Sequence, residues 1–122
     1  SGILAVPAGG PADCPWSIAM PAYLISVVEV TNPTPGFRQY AEKSAQLIKK
    51  HGGRYLVRGK AANILSGDLY QKKVLIVAEF PGVEQINAFW GSDEYQKDCK
   101  PLREGSGIYD IGVFEAPPPD KA

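Results

Sequence analysis

The chain carries one histidine, two cysteines, one methionine and no surplus of either charge in its 122 residues. Each scarcity closes off a class of function. One imidazole cannot build a zinc cage, and Cys14 and Cys99 show no CxxC or Cys/His spacing, so no metal site is expected. Thirteen basic side chains offset thirteen acidic ones, which leaves no net positive field to gather nucleic acid or an anionic membrane surface. The longest apolar runs, Tyr23 to Val28 and Val74 to Ala78, fall far short of the ~20 residues a spanning helix needs. Without an export signal the two thiols read as reduced rather than bridged, and the expected location is cytoplasmic. No GxxxxGK[ST] loop occurs, and HGGRYLVRG lacks the strand-glycine-helix order of a dinucleotide loop; no nucleotide, flavin or other cofactor is implied.

What is present is an ordinary globular composition, 44% apolar and 21% charged, in a chain of one-domain length. Residues 1–19, SGILAVPAGGPADCPWSIA, are rich in Gly, Pro and Ala and have neither a basic n-region nor a continuous apolar h-region. They read as an arm or leader. Met20 is a candidate natural start with added sequence before it, and a native arm covering a neighbour is the other reading. A single folded domain is expected over 20–116, followed by a proline-rich tail over 117–122.

Within that domain the periodicity alternates between strand and helix. YLISVVEV is β-rich and runs into TNPTP, where Thr34 can cap a helix with Pro35 at its first position. Phe37, Tyr40, Ala41, Ser44, Leu47 and Ile48 then recur at helical spacing, and Arg38, Lys43, Lys49 and Lys50 take the outer side. Gly52 offers a left-handed stop. RYLVRG alternates as a second strand, with a bend and a further extended piece expected in AANILSGDLY, and KKVLIVAEF is a third strand closed by Pro81 and Gly82. A helix follows in VEQINAFWGS, and a second helical start lies at Ser92, limited by Pro101. SGIYDIGVFEA is the last strand. The order β-α-β-β-α-β predicts a ferredoxin-like α+β fold, an antiparallel four-stranded sheet with helices on one face.

Both faces of that sheet are mostly apolar. In the first strand Leu24, Ser26, Val28 and Val30 oppose Tyr23, Ile25, Val27 and Glu29, and in the third Val74, Ile76, Ala78 and Phe80 oppose Leu75, Val77 and Glu79. Helices can cover one face only. The other is expected to be buried against an identical subunit, making the protein a homodimer through its sheet.

MPAYLISVVEV, HGGRYLVRG, VLIVAEFPGVEQINAFWGSDEYQ and KPLREGSG, in this order and spacing, resemble the domain-of-unknown-function 1330 family of the dimeric α+β barrel superfamily. The resemblance implies the fold and the dimer, over roughly residues 20 to 115. It implies no reaction, because the superfamily spans monooxygenases, isomerases, cyclases, lyases and dehydratases.

Candidate site residues cluster around HGGRYLVRG. His51 is a possible general acid or base, or else a cation at a helix end that bonds a last-turn carbonyl. Arg54 and Arg58, taken as sharing one strand face, could hold a carboxylate or enolate oxygen, with Tyr55 on the other face. Glu79 interrupts an apolar strand either as a catalytic carboxylate or as an ion-pair partner of one of these arginines. Tyr23, Trp90 and Tyr95 are candidate substrate contacts, Trp90, Tyr95 and Phe37 reading as core or cleft wall rather than cofactor stackers; Arg103 either approaches the cleft or is a solvated helix-end arginine, and Ser92 reads as a cap. Two functions remain open: a cofactor-free enzyme of isomerase, cyclase or lyase type acting on a small carbonyl or carboxylate compound, and a non-catalytic module that binds a small molecule or serves assembly.

Overall fold

The computed structural model describes residues 20–116; the arm over 1–19 and the tail over 117–122 lie outside the described residues. Four strands, β1 (Ala22–Val30), β2 (Arg54–Gly59), β3 (Val74–Phe80) and β4 (Gly107–Glu115), form one antiparallel sheet in the order β2-β3-β1-β4. Helices α1 (Pro35–Lys50), α2 (Val83–Gly91) and the single turn α3 (Asp93–Gln96) connect them, with a 3-10 turn at Lys100–Arg103 before β4.

Local chemistry sets these boundaries as the sequence predicts. Thr34 is extended, and its Oγ1 accepts the Phe37 N–H at 3.1 Å, while Pro35 occupies the first helical position where no N–H is needed. Thr34→Ala should therefore cost about 1 kcal/mol, read as a lower urea midpoint with an unchanged slope. At the other end Gly52 has φ 87°, and the Gly53 N–H returns to the Ile48 carbonyl at 2.8 Å. Ser92 caps α3 by accepting the Tyr95 N–H at 3.1 Å. Pro101 falls inside the 3-10 turn, which ends the helical stretch.

AANILSGDLY differs from its expectation. Residues 60–73 form bends and turns rather than an extended strand, held by bonds such as Gln71 N–H to the Asp68 carbonyl. Leu65, Leu69 and Tyr70 project from this connection into solvent, so it has no buried face to impose a period of two.

Burial along β1 alternates strictly from Ala22 to Val28: Ala22, Leu24, Ser26 and Val28 are buried and the residues between them are half-buried. The buried set faces the helices. With Ala78 and Phe80 of β3, Leu47 and Ile48 of α1, Ile86 and Phe89 of α2, and Tyr95 and Cys99 beyond it, this set makes one core. Phe80 and Ala78 are wholly inaccessible. α2 rests directly on β1, β3 and β4. The opposite face carries Tyr23, Ile25, Val27, Leu75 and Val77, joined through β4 pairing by Ile108 and Phe114, each more than half exposed.

Candidate functional site

The sheet's helix side does not close completely. A cavity of about 140 Å³ lies between the sheet and the helices, walled by Leu24, Ser26 and Val28 of β1, Phe37, Tyr40, Ala41 and Ser44 of α1, Ile76 of β3, and Phe89, Trp90 and Tyr95. Tyr109 and Ile111 of β4 complete the floor, and Tyr55 and Arg58 of β2 close one side. The walls are mainly hydrocarbon and aromatic ring. Trp90 and Phe89 each stack on Tyr95 with centroids 4.8 Å apart, and the Lys100 ammonium lies 5.4 Å from the Trp90 ring centroid.

Polar groups enter this cavity as a small set of hydroxyls. The Tyr40 and Tyr95 hydroxyls meet at 2.9 Å, and Arg103 Nη1 reaches the Tyr40 oxygen at 3.5 Å. Arg103 lies beside an edge-on pair of rings, its guanidinium carbon 5.6 Å from the Tyr40 centroid and 4.5 Å from that of Tyr109. Tyr109 in turn shares a 2.7 Å bond with the Ser106 hydroxyl, whose own contact to the Arg103 carbonyl folds the turn onto β4. Burial pushes the Tyr95 hydroxyl far above its ordinary range, and burial also raises those of Tyr40 and Tyr55 against the opposing pull of Arg103 and Arg58. All three therefore stay protonated at neutral pH, as hydrogen-bond donors rather than bases.

Arg58 reaches the cavity through an irregularity. β2 pairs Tyr55 with Ala78 but Val57 with Val77, so Leu56 is an extra residue and the register shifts. A β-bulge of this kind reverses the facing of everything beyond it. Arg54 and Arg58, expected to share a face, are thus divided. Arg54 lies opposite Glu79 on the open side, whereas Arg58 lies opposite Ile76 on the helix side, as does Tyr55 opposite Ala78. The Arg58 guanidinium sits 4.6 Å from the Tyr55 ring centroid.

The other sequence candidates fall in two further places. Arg54 pairs with Glu79 through Nη2 at 2.8 Å and Nε at 2.9 Å, and the Tyr23 hydroxyl donates to the second Glu79 oxygen at 3.2 Å. This trio stands on the open sheet face, away from the cavity. His51 ends α1, its Nδ1 2.9 Å from the Leu47 carbonyl oxygen and its ring edge-on to Phe89 at 6.0 Å. His51, Arg54 and Glu79 do not converge. Of the sequence candidates, Arg58, Trp90 and Tyr95 line the cavity, together with Phe37, while His51, Arg54, Glu79 and Tyr23 do not. Sequence reasoning counted Tyr40 as an inward helix residue but missed its hydroxyl pair with Tyr95, and it missed Tyr109; the signal available was four tyrosines, at 40, 55, 95 and 109, on segments facing one layer.

Cys99 is buried beneath this cluster, with its thiol 4.0 Å from the Tyr40 carbonyl, and burial pushes it up to about 11. It is expected to resist alkylation at neutral pH until the protein unfolds, which peptide mapping after iodoacetamide treatment measures directly.

An antiparallel β2-β3-β1-β4 sheet with its helices on one face, over a cleft walled by aromatic rings, defines an α+β protein of the ferredoxin-like class. The chain belongs to the family described as domain of unknown function (DUF1330), which it matches over residues 21–117. Its structure is similar to that of RPA0582, a protein of unknown function from Rhodopseudomonas palustris, with a TM-score of 0.66 and 15% identity over 82% of this chain and 85% of that one. The methylated form of RPA0582 is similar at a TM-score of 0.62 and 17% identity, covering 83% and 84% of the two chains. At such identities the likeness is one of fold. No curated protein matches the chain.

Proposed function

We propose that the protein binds a small, largely apolar molecule in the cavity between sheet and helices, and does so as a homodimer joined through the open sheet face. One observation carries the reading: a cavity of about 140 Å³, walled by hydrocarbon and rings, whose lining among the described residues contains neither a carboxylate nor an imidazole. Roughly 150 Å³ of apolar space is enough to take up benzene. Proton abstraction next to a carbonyl requires a base within hydrogen-bond reach of the substrate. His51 and Glu79 stand elsewhere, and the cavity's tyrosines are held in their protonated form. Those positions favour binding over isomerase, cyclase or lyase chemistry.

The dimer is supported by the apolar face of Tyr23, Ile25, Val27, Leu75 and Val77, which the described helices leave uncovered. A cytoplasmic location is part of the reading and suits the free thiol of Cys99. Among the described residues no helix is long and apolar enough to cross a membrane.

Benzyl alcohol is a suitable probe. Titrated into the protein it should shift the NMR signals of Tyr40, Phe89 and Trp90, and Ala41→Leu, which places a larger side chain in the same space, should abolish those shifts while the variant still melts cooperatively. Binding indifferent to Ala41→Leu, or failure of both benzyl alcohol and its carboxylate counterpart benzoate to bind, overturns the reading.

A further inference from the structure

Among the described residues Arg58 is the one charged side chain in the cavity lining, at its exposed edge, and the chain departs from regular β geometry to put it there. Without the extra residue Leu56, Arg58 would share the open face with Arg54. The two arginines differ in a second way. Arg54 is neutralised by Glu79, whereas no carboxylate among the described residues lies within ion-pair distance of Arg58. Its guanidinium is instead laid over the Tyr55 ring, an arrangement that orients the planar fork and leaves its N–H groups available.

A second group with unused donor capacity stands in the same cavity. Tyr40 and Tyr95 have two hydroxyl protons between them, and their mutual bond consumes one, whichever of them donates. No acceptor for the other is found among the described residues. If Tyr95 donates, the Tyr40 oxygen already receives that proton and Arg103 Nη1, and its own O–H is left for a partner in the space it lines. Buried donors without acceptors are uncommon, because each costs free energy comparable to a lost hydrogen bond. A ligand that supplies acceptors would relieve that cost.

We propose that the ligand is a compact aromatic carboxylate of single-ring size, its ring held in the cavity and its acid group bound by Arg58 and the spare tyrosine hydroxyl. This rests on the binding reading above and adds the chemical class. The cavity volume of about 140 Å³ is matched to one ring with a small substituent. With an arginine and tyrosine donors facing it and no carboxylate in the lining, the space favours an anion over a cation.

Benzoate and benzyl alcohol, matched in ring and close in size, separate the two levels of the claim. Titrations followed by NMR on the full chain should show benzoate binding more tightly than benzyl alcohol. Arg58→Gln should weaken benzoate on the order of 10- to 100-fold, the range for a hydrogen bond to a charged group, and leave benzyl alcohol within about twofold. Tyr40→Phe should weaken benzoate by less. Equal affinity of the wild type for the two compounds, or benzoate affinity unchanged in Arg58→Gln, overturns the carboxylate assignment while leaving cavity binding intact; failure of both compounds to bind overturns both. Should Arg58→Gln not fold, the wild-type preference for benzoate over benzyl alcohol decides the matter alone.

Discussion

Phe80→Ala is expected to lower the unfolding free energy by about 3–5 kcal/mol, the cost of deleting a fully buried ring. Phe80 is inaccessible to solvent, ends β3 where the sheet meets α1, and packs its ring 6.1 Å from that of Phe89. The space cannot collapse easily, because Gly53 stands directly beneath it: a Cβ built there would lie 2.7 Å from Phe80 Cζ and 2.8 Å from Ile48 Cγ2. At about 4–8 °C per kcal/mol for a domain of this length, the melting temperature should fall by more than about 12 °C. Gly53→Ala tests the same packing from the other side and should cost about 1–3 kcal/mol by overfilling. Combined with Phe80→Leu, which withdraws the ring edge, its cost should shrink. Additive losses in that double-mutant cycle, or a Phe80→Ala variant that melts like the wild type, would show that the two residues do not share one packed site.

Of the glycines in HGGRYLVRG, Gly53 is thus a packing residue and Gly52 the turn residue, and that bears on what could be read from sequence. Strand and helix placement was legible because local chemistry and burial agree: Thr34 caps, Gly52 reverses the chain, and β1 alternates on a period of two. The helical face of α1 was legible for the same reason. Residues 60–73 were misread as partly extended because Ile64, Leu65, Leu69 and Tyr70 suggest strand chemistry, yet no partner strand receives them. The site was harder. Its decisive feature is one extra residue in β2, and the consecutive apolar Tyr55, Leu56 and Val57 are its only trace, a run that a strictly alternating strand would not contain. Extrapolating a period of two across that run places Arg58 beside Arg54 and so places the cation outside the cavity. Side-chain contacts separated by about fifty residues, such as Tyr40 with Tyr95, have no local signature at all.

If two subunits join through the open sheet face as proposed, Ile25→Asp should separate them without unfolding the subunit. Ile25 lies at the middle of the central strand β1, flanked by Val77 on β3 and Gly112 on β4, on the face that no described helix covers. In a lone subunit that position is half-buried and open to water, so aspartate costs about 1 kcal/mol in β-propensity. Against an identical subunit it would be desolvated next to its own copy or to other apolar side chains, with no cation directly opposite on either neighbouring strand. An unpaired buried charge costs several kcal/mol, so association should weaken by at least about 100-fold. Ile25→Thr, which keeps the β-branch without the charge, should remain dimeric at micromolar concentration. Sedimentation of the three proteins separates the cases. The Arg54–Glu79–Tyr23 cluster on the same face sharpens the expectation, since a charge pair internally satisfied within one subunit can enter an interface with less desolvation penalty than a lone ion. Wild-type protein that sediments as a monomer, or Ile25→Asp protein that sediments as the wild type does, would require the uncovered face to be shielded by something other than a second copy.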